Sequence, residues 1–432
     1  MNIINFIREL WHQPYFACLL AVASCLCFYF LRSKNKASGK FIWFVYSSIL
    51  ITTFFIFLGN GIYRIYHPQV WDFTAFYLFG KVAASGYNFY LPANFQIVFA
   101  SLPLPLLDYS GLIQVAVNVG FPYPPTTILL FAPLGFLSYQ TAMICWTTFL
   151  ILLAIGCVYL IYDLFLKKYK LNGLMLAAIL FFLLLPVQST ISFSQTNFYL
   201  LFFLLLMKKY SNKNFAGIFL ALALLAKPYI IVFALIFILR KRWKAMIYFI
   251  VSFLSLIGLT VLFFGIGPFI TYINDNPANH FPKWVFSEDV NQSLNAVLLR
   301  AHFISIDNSI TYVYIVFSAF LVTAFYLFYL IRSNLYEHIW AVILLVALLL
   351  YPGTLSHYGV LLLFIIFQFF NEKNELGFNR YVNIPIIGIF YYLSSVSLFA
   401  CICFLLIVLI SKSLWPFSPG KLIHPKLYKD AM

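Results

Sequence analysis

The sequence predicts an all-α, polytopic membrane protein, and three observations lead there. Of 432 residues, 63% are hydrophobic and 9% charged, with a mean hydropathy of +0.94; a soluble domain carries about 25% charged residues. The apolar residues come in repeated runs of roughly 17–25, the length of a membrane-crossing helix, not in the ~10-residue alternating segments of a β-barrel. Lys and Arg, 27 against 12 acidic residues for a net charge of +15, gather in short clusters between those runs. Such clusters mark cytoplasmic loops and do not call for a nucleic-acid partner.

The first span covers residues 15–31. It lacks a small-residue cleavage site, so it reads as a retained helix and not a signal peptide. Arg32, Lys34, Lys36 and Lys40 follow as a basic loop. Residues 1–40 thus form an extra amino-terminal helix and loop, ahead of a main body at 41–411 and a basic tail at 412–432. The second span, 41–58, runs outward. Residues 59–123 then form a long non-cytoplasmic stretch holding Arg64, His67, Asp72, Lys81 and Asp108. Its aromatic and leucine content predicts short interfacial helices. Val70, Phe73, Phe76 and Tyr77 keep a 3.6-residue rhythm, so one such helix begins near Trp71. GYNFYLP (86–92) is turn-rich, and FPYPP (121–125) closes the stretch with prolines suited to a first helical turn.

Residues 126–137 are apolar but short for a crossing, and 140–166 is a full span ended by Lys167, Lys168 and Lys170. Residues 171–186 return to Pro186, VQSTISFSQTN (187–197) is a polar interlude, and 198–207 ends at Lys208, Lys209 and Lys213. Segment 215–239 has basic residues at both ends, the far cluster being Arg240, Lys241, Arg242 and Lys244, and it is interrupted by Lys227-Pro228. A single crossing would leave one basic cluster outside. Two half-helices of about 12 residues, meeting in a re-entrant hairpin at Lys227-Pro228, keep both inside. Residues 245–270 cross outward, and 271–310 form an external loop with NQSLN (291–295) and Arg300. Spans follow at 311–331 and 338–351, then the turn YPGTLSHYG (351–359), and 357–370 returns. The last run, 384–411, is one long helix or two short ones; the basic tail (Lys412, Lys421, Lys426, Lys429) favours two passes. No repeat of 20–50 residues or inverted symmetry of the transporter kind stands out.

Few residues suit chemistry. Asp72, a carboxylate in an aromatic loop at a membrane exit, can take a proton from an attacking hydroxyl; Asp is equally a preferred helix N-cap, although Ala75 completes no capping box. Lys227, set amid hydrocarbon, is a functional candidate for neutralising a lipid phosphate, or it snorkels on its four-carbon stem. His357 can hydrogen-bond a phosphate or a sugar, or serve as an interfacial histidine. Gln195, Asn197, Asn291 and Gln292 offer amides that match sugar hydroxyls, and amides also fill turns. Arg64, His67 and Arg300 are candidate phosphate ligands or interfacial anchors. The seven cysteines lie mostly in apolar runs without metal-ligand spacing, so buried free thiols and no metal site are expected. No Walker loop or dinucleotide fingerprint occurs, which points any activated donor towards a lipid carrier.

Taken in order, WDFTAFYLFG with GYNFY, FPYPPTTILLFAPLGFL, FSQTNFYLLFFLL, AGIFLALALLAKPYIIVFALIFILRKRWKA, NQSLN and LSHYG resemble glycosyltransferase family 87, over roughly residues 60–370. The resemblance implies a GT-C-type transmembrane helix bundle and a mannosyltransferase-like hexosyltransferase of the cell envelope. It would use a polyprenyl-phosphate sugar, need no cofactor beyond that co-substrate, and act by inversion on a lipid or glycan acceptor. It places the base on Asp72, a further catalytic role on His357, and the donor's lipid phosphate on Lys227, with Arg64 and Arg300 as additional candidates. Tyr123, Gln195, Asn197, Asn291 and Gln292 would then contact sugar or acceptor. The implied setting is a bacterial inner membrane with the site facing the periplasm. The competing reading is a transporter or flippase of lipid-linked glycan.

Overall fold

The computed structural model describes residues 13–32, 39–66, 71–100, 121, 123–275, 288–304, 309–370 and 380–414. His67 and Asp108, the basic residues Lys34 and Lys36, and the tail lysines beyond Lys412 lie outside them. Among the described residues the chain is helical, with no strand and one isolated bridge between Asn291 and Leu355. It is an all-α polytopic membrane protein. Four described helical stretches are long and apolar enough to cross a membrane: Lys40–Tyr66, Tyr139–Leu183, Trp243–Phe264 and Val313–Arg332. Ile247, Val251, Leu254, Leu262, Phe317, Phe325 and Phe328 are exposed on two of them, a surface that hydrocarbon tolerates and water does not.

The helices are α1 (Pro14–Arg32), α2 (Gly39–Tyr66), α3 (Trp71–Ala84), α4 (Pro92–Ala100), α5 (Ile128–Gly135) and α6 (Tyr139–Ile161). Next come α7 (Lys170–Leu183), α8 (Leu185–Ser192), α9 (Asn197–Lys209), α10 (Ala216–Leu224), α11 (Ala234–Leu239) and α12 (Trp243–Phe264). The chain ends with α13 (Gly267–Asn274), α14 (Leu294–Arg300), α15 (Ser309–Arg332), α16 (Tyr336–Leu350), α17 (Leu363–Ile366), α18 (Arg380–Val396) and α19 (Leu398–Leu414). The second span is longer than hydropathy alone indicates. It runs to Tyr66, which puts Arg64 in a last helical turn instead of a loop. Part of the expected polar interlude is also helical: Leu184 breaks the preceding helix in extended conformation, and α8 restarts at Leu185 with Pro186 in its first turn.

The bundle has two chemically distinct ends. At one, Asp163 holds Lys167 at 2.8 Å and Lys209 at 2.9 Å, while Lys208 pairs with Glu337 and lies 4.6 Å from the Trp340 ring centre. At this basic end the Arg242 guanidinium donates to the Asn212 carbonyl. That bond brings together the two termini of the 215–239 segment, so the segment is a hairpin and not a crossing. Its first arm, α10, breaks before Lys227; its second begins with a 3-10 turn at Pro228–Phe233 and continues as α11. Gly217 lets α10 and α12 touch backbone to backbone, since a Cβ there would lie 2.1 Å from the Ala245 carbonyl oxygen.

The carboxyl-terminal run is two helices, α18 and α19, separated at Ser397. Ser397 Oγ donates to Gln292 Oε1 (2.9 Å) at the opposite end of the bundle from the lysines, and the Ser413 carbonyl accepts from Tyr329 Oη (2.9 Å) near the end of α15. The two helices are therefore antiparallel, and the tail is returned towards the basic end. α1 packs along α18 and α7, and the Tyr29 hydroxyl accepts from Asn383 Nδ2 at 3.1 Å.

Candidate active site

The end away from that basic cluster carries a group of polar side chains, and the helix that starts at Trp71 positions a carboxylate among them. α3 lies against α5 with unusual intimacy. A Cβ on Gly80 would sit 2.3 Å from the Phe131 carbonyl oxygen, and one on Gly135 equally close to that of Gly80. Phe76 and Phe131 stack at 4.4 Å and 6° just beside this crossing. Tyr77 Oη donates to the Leu137 carbonyl (2.9 Å), and the Thr74 and Tyr139 hydroxyls share a hydrogen at 2.8 Å. α6 starts there because Ser138 caps it, accepting from the Thr141 amide at 3.2 Å. Asp72 is the second residue of α3, in its first turn, where the positive end of the helix favours a carboxylate.

Asp72 is half-buried, and its side chain is hydrogen-bonded to Gln195. Burial pushes its carboxyl above the ordinary carboxylate range; the Gln195 hydrogen bond and the Lys227 charge draw it part of the way back. Gln195 is held in place by its neighbours. Its backbone amide bonds to the Thr190 carbonyl (3.0 Å), and the Trp146 indole N–H donates to the Ser194 carbonyl (2.8 Å). Ser194 takes a left-handed φ of 54°, which turns the chain from α8 into α9.

Lys227 is 1% exposed. Pro228 forces the preceding residue out of helical conformation, and Lys227 is extended at φ −150°, ψ 123°. The break aims its side chain into the bundle. Nζ donates to Tyr123 Oη at 2.8 Å and to Tyr358 Oη at 2.7 Å, and it lies 4.7 Å from each ring centre. The Tyr123 carbonyl in turn accepts from Tyr90 Oη, so the GYNFY turn buttresses the FPYPP segment. Tyr229 and Tyr351 pack at 4.5 Å, and Tyr358 lies roughly parallel to both. Asp72 interacts electrostatically with Lys227, Tyr123 and Tyr358, while no ion pair joins Asp72 to Lys227 among the described residues.

His357 is buried in a 3-10 turn, Ser356–Leu362. Its carbonyl accepts from Asn197 Nδ2 at 3.2 Å and Thr190 Oγ1 at 3.4 Å, and its ring interacts electrostatically with Lys227. Among the described residues, several buried polar atoms here have no protein partner: Gln195 Oε1, Thr196 Oγ1, Asn197 Oδ1, Tyr229 Oη and His357 Nε2. A buried polar atom without a partner costs about 1–3 kcal/mol. A cluster of them is the mark of a place built to be completed by a polar ligand.

Asp72, Gln195, Asn197, Lys227, Tyr123 and His357 thus converge, as do Tyr358, Tyr229, Tyr351 and Thr196, which sequence reasoning passed over. Tyr358 adjoins His357 and Tyr229 adjoins Pro228, but one tyrosine among 30 carries no signal by itself. In the structure Asn291, Gln292 and Arg300 are engaged with the protein itself. Asn291 Nδ2 donates to the Pro352 carbonyl (2.8 Å) and its Oδ1 accepts from the Ser293 amide and hydroxyl. Gln292 reaches the Asp289 carbonyl and Ser397, and its amide bonds to the Thr354 carbonyl at 2.7 Å. Arg300 Nη1 donates to the carbonyls of Glu288 (2.7 Å) and Asn291 (2.8 Å), and its Nε lies 3.7 Å from Asp289. Together they latch the NQSLN loop onto the turn that carries His357 and Tyr358. Arg64 stands 5.7 Å from the ring centre of its neighbour Tyr63.

The model of glycosyltransferase family 87 matches residues 121–353, more than half of the chain. The matched stretch contains Tyr123, Gln195, Asn197, Lys227 and the NQSLN latch; Asp72 lies before it and His357 just after. No curated protein and no solved structure matches the chain.

Proposed function

Starting from the fact that the chain belongs to glycosyltransferase family 87, we propose that it transfers a hexose or pentose from a polyprenyl-phosphate carrier to a lipid-linked or glycan acceptor, with inversion. The acceptor hydroxyl loses its proton to Asp72 as its oxygen bonds to the anomeric carbon. The bond from that carbon to the phosphate oxygen breaks, and the phosphate leaves on the lipid. The observation that supports this most directly is a carboxylate and a buried ammonium in one cluster, coupled but not paired. A directly paired carboxylate would be neutralised as a base, and a cation spent on it would be lost to the leaving group.

The Gln195 amide orients the Asp72 carboxylate, leaving Gln195 Oε1 and Asn197 Oδ1 for sugar hydroxyls. Lys227 takes the developing phosphate charge, and His357 Nε2 is placed to bond phosphate or sugar. With the basic end in the cytoplasm, the site faces the periplasm or its equivalent, fitting an integral protein of a bacterial inner membrane. The test is an in vitro transfer assay with purified protein and a panel of polyprenyl-phosphate sugars, comparing wild type with Asp72→Asn. A positioned base contributes about 10²–10⁴-fold, and the variant should lose activity on that scale. Undiminished turnover would remove Asp72 from the role. Glycan movement across proteoliposomes without any transfer would favour a flippase.

A further inference from the structure

Lys227 has three N–H donors and no acceptor. Two of its hydrogens go to the phenol oxygens of Tyr123 and Tyr358, which are therefore no more than about 5.5 Å apart. A phenol oxygen that accepts from an ammonium keeps its own O–H proton, and that proton must point elsewhere. Among the described residues no protein acceptor is recorded for either hydroxyl or for the third ammonium hydrogen. The arrangement is a cation flanked by two polarised O–H donors, all from different parts of the chain, beside Tyr229 Oη, another buried donor without a partner. Such a set is poor at holding a cation and well matched to an anion with several oxygens. Phosphate oxygens accept strongly, and charge-assisted bonds are about twice as strong as neutral ones.

We propose that Tyr123 and Tyr358, with Lys227, form a three-donor cradle for the phosphate of the lipid carrier, in which the two phenols bond the anion directly and do more than bury the lysine. This rests on the donor class proposed above and adds the residues that grip it. The cradle also implies that the released polyprenyl monophosphate, which carries more negative charge than the donor diester, binds there as a competitive product.

The experiment uses the full chain in neutral phosphatidylcholine nanodiscs, with polyprenyl monophosphate as titrant and inorganic phosphate as a second arm. Wild type should bind the lipid phosphate, Tyr358→Phe and Tyr123→Phe should each weaken it about tenfold, and Lys227→Met should weaken it more. In transfer assays the two tyrosine variants should raise the donor KM and the product inhibition constant together. Phe removes only the hydroxyl, the two variants test the idea independently, and monodisperse elution checks folding. Wild-type affinity in both tyrosine variants alongside loss in Lys227→Met overturns the cradle and leaves the donor reading standing. Absence of lipid-phosphate binding by wild type overturns both. Competition by inorganic phosphate alone overturns the lipid as source of the anion.

Discussion

Replacing Gln195 by Leu tests how the base is tuned. Gln195 is 2% exposed, and leucine fills a similar volume without a donor. The amide bond to Asp72 favours the charged carboxylate, and hydrogen bonds to charged groups contribute about 1.5–3 kcal/mol. At 1.36 kcal/mol per pKa unit, losing it raises the Asp72 pKa by about one to two units. The burial that already raises it and the Lys227 charge that lowers it stay in place. Asp72 must be ionised to accept a proton, so activity falls as pH drops through its pKa. The acidic limb of kcat/KM should therefore move upward by that amount, and the alkaline plateau should fall as well, because the variant also loses the group that orients the carboxylate and offers Oε1 to the sugar. Among the described residues, Lys227, Tyr123 and Tyr358 also interact electrostatically with Asp72, and none of them is altered. The assay is a pH–rate profile of purified enzyme with saturating acceptor. An unmoved limb with a uniformly lower plateau would refute the tuning and make Gln195 a substrate contact only.

Two further substitutions probe the scaffold. Gly135→Ala places a methyl 2.3 Å from the Gly80 carbonyl oxygen, so α3 and α5 must separate; overpacking of this kind costs about 1–3 kcal/mol. A lower thermal midpoint in detergent and reduced kcat are expected, because Asp72 rides on α3. Asn291→Ala removes the side chain that joins the NQSLN loop to the Pro352 carbonyl. It should destabilise by about 1–3 kcal/mol and lower activity without a selective change in acceptor KM. A large acceptor KM effect with unchanged stability would return Asn291 to sugar contact.

The sequence alone decided the solvent in which the chain folds, since its hydropathy admits only a lipid phase. It also pointed to the re-entrant hairpin. Like-charged clusters on both sides of a Pro-broken apolar run favour a hairpin over a single crossing, a charge bias that is read without coordinates. Lys227 stood out for a similar reason, since a charge in hydrocarbon is costly and asks for an explanation, and Asp72 stood out as a carboxylate in an aromatic loop at a membrane exit. What only the tertiary structure decided is which polar groups meet. Lys227 finds Tyr358 across 131 residues and Tyr123 across 104, and neither tyrosine differs in sequence from the many that line a membrane interface. Asn291, Gln292 and Arg300 have the chemistry of sugar and phosphate ligands, and only the folded molecule shows the backbone carbonyls and the Ser397 hydroxyl that they meet. The apolar run at 384–411 left one long helix or two short ones open, with the basic tail favouring two passes; the folded molecule places the turn at Ser397, where Gln292 bonds it across 105 residues. Composition and charge act locally and can be read along the chain; hydrogen-bond partners are set by packing, which only the folded molecule specifies.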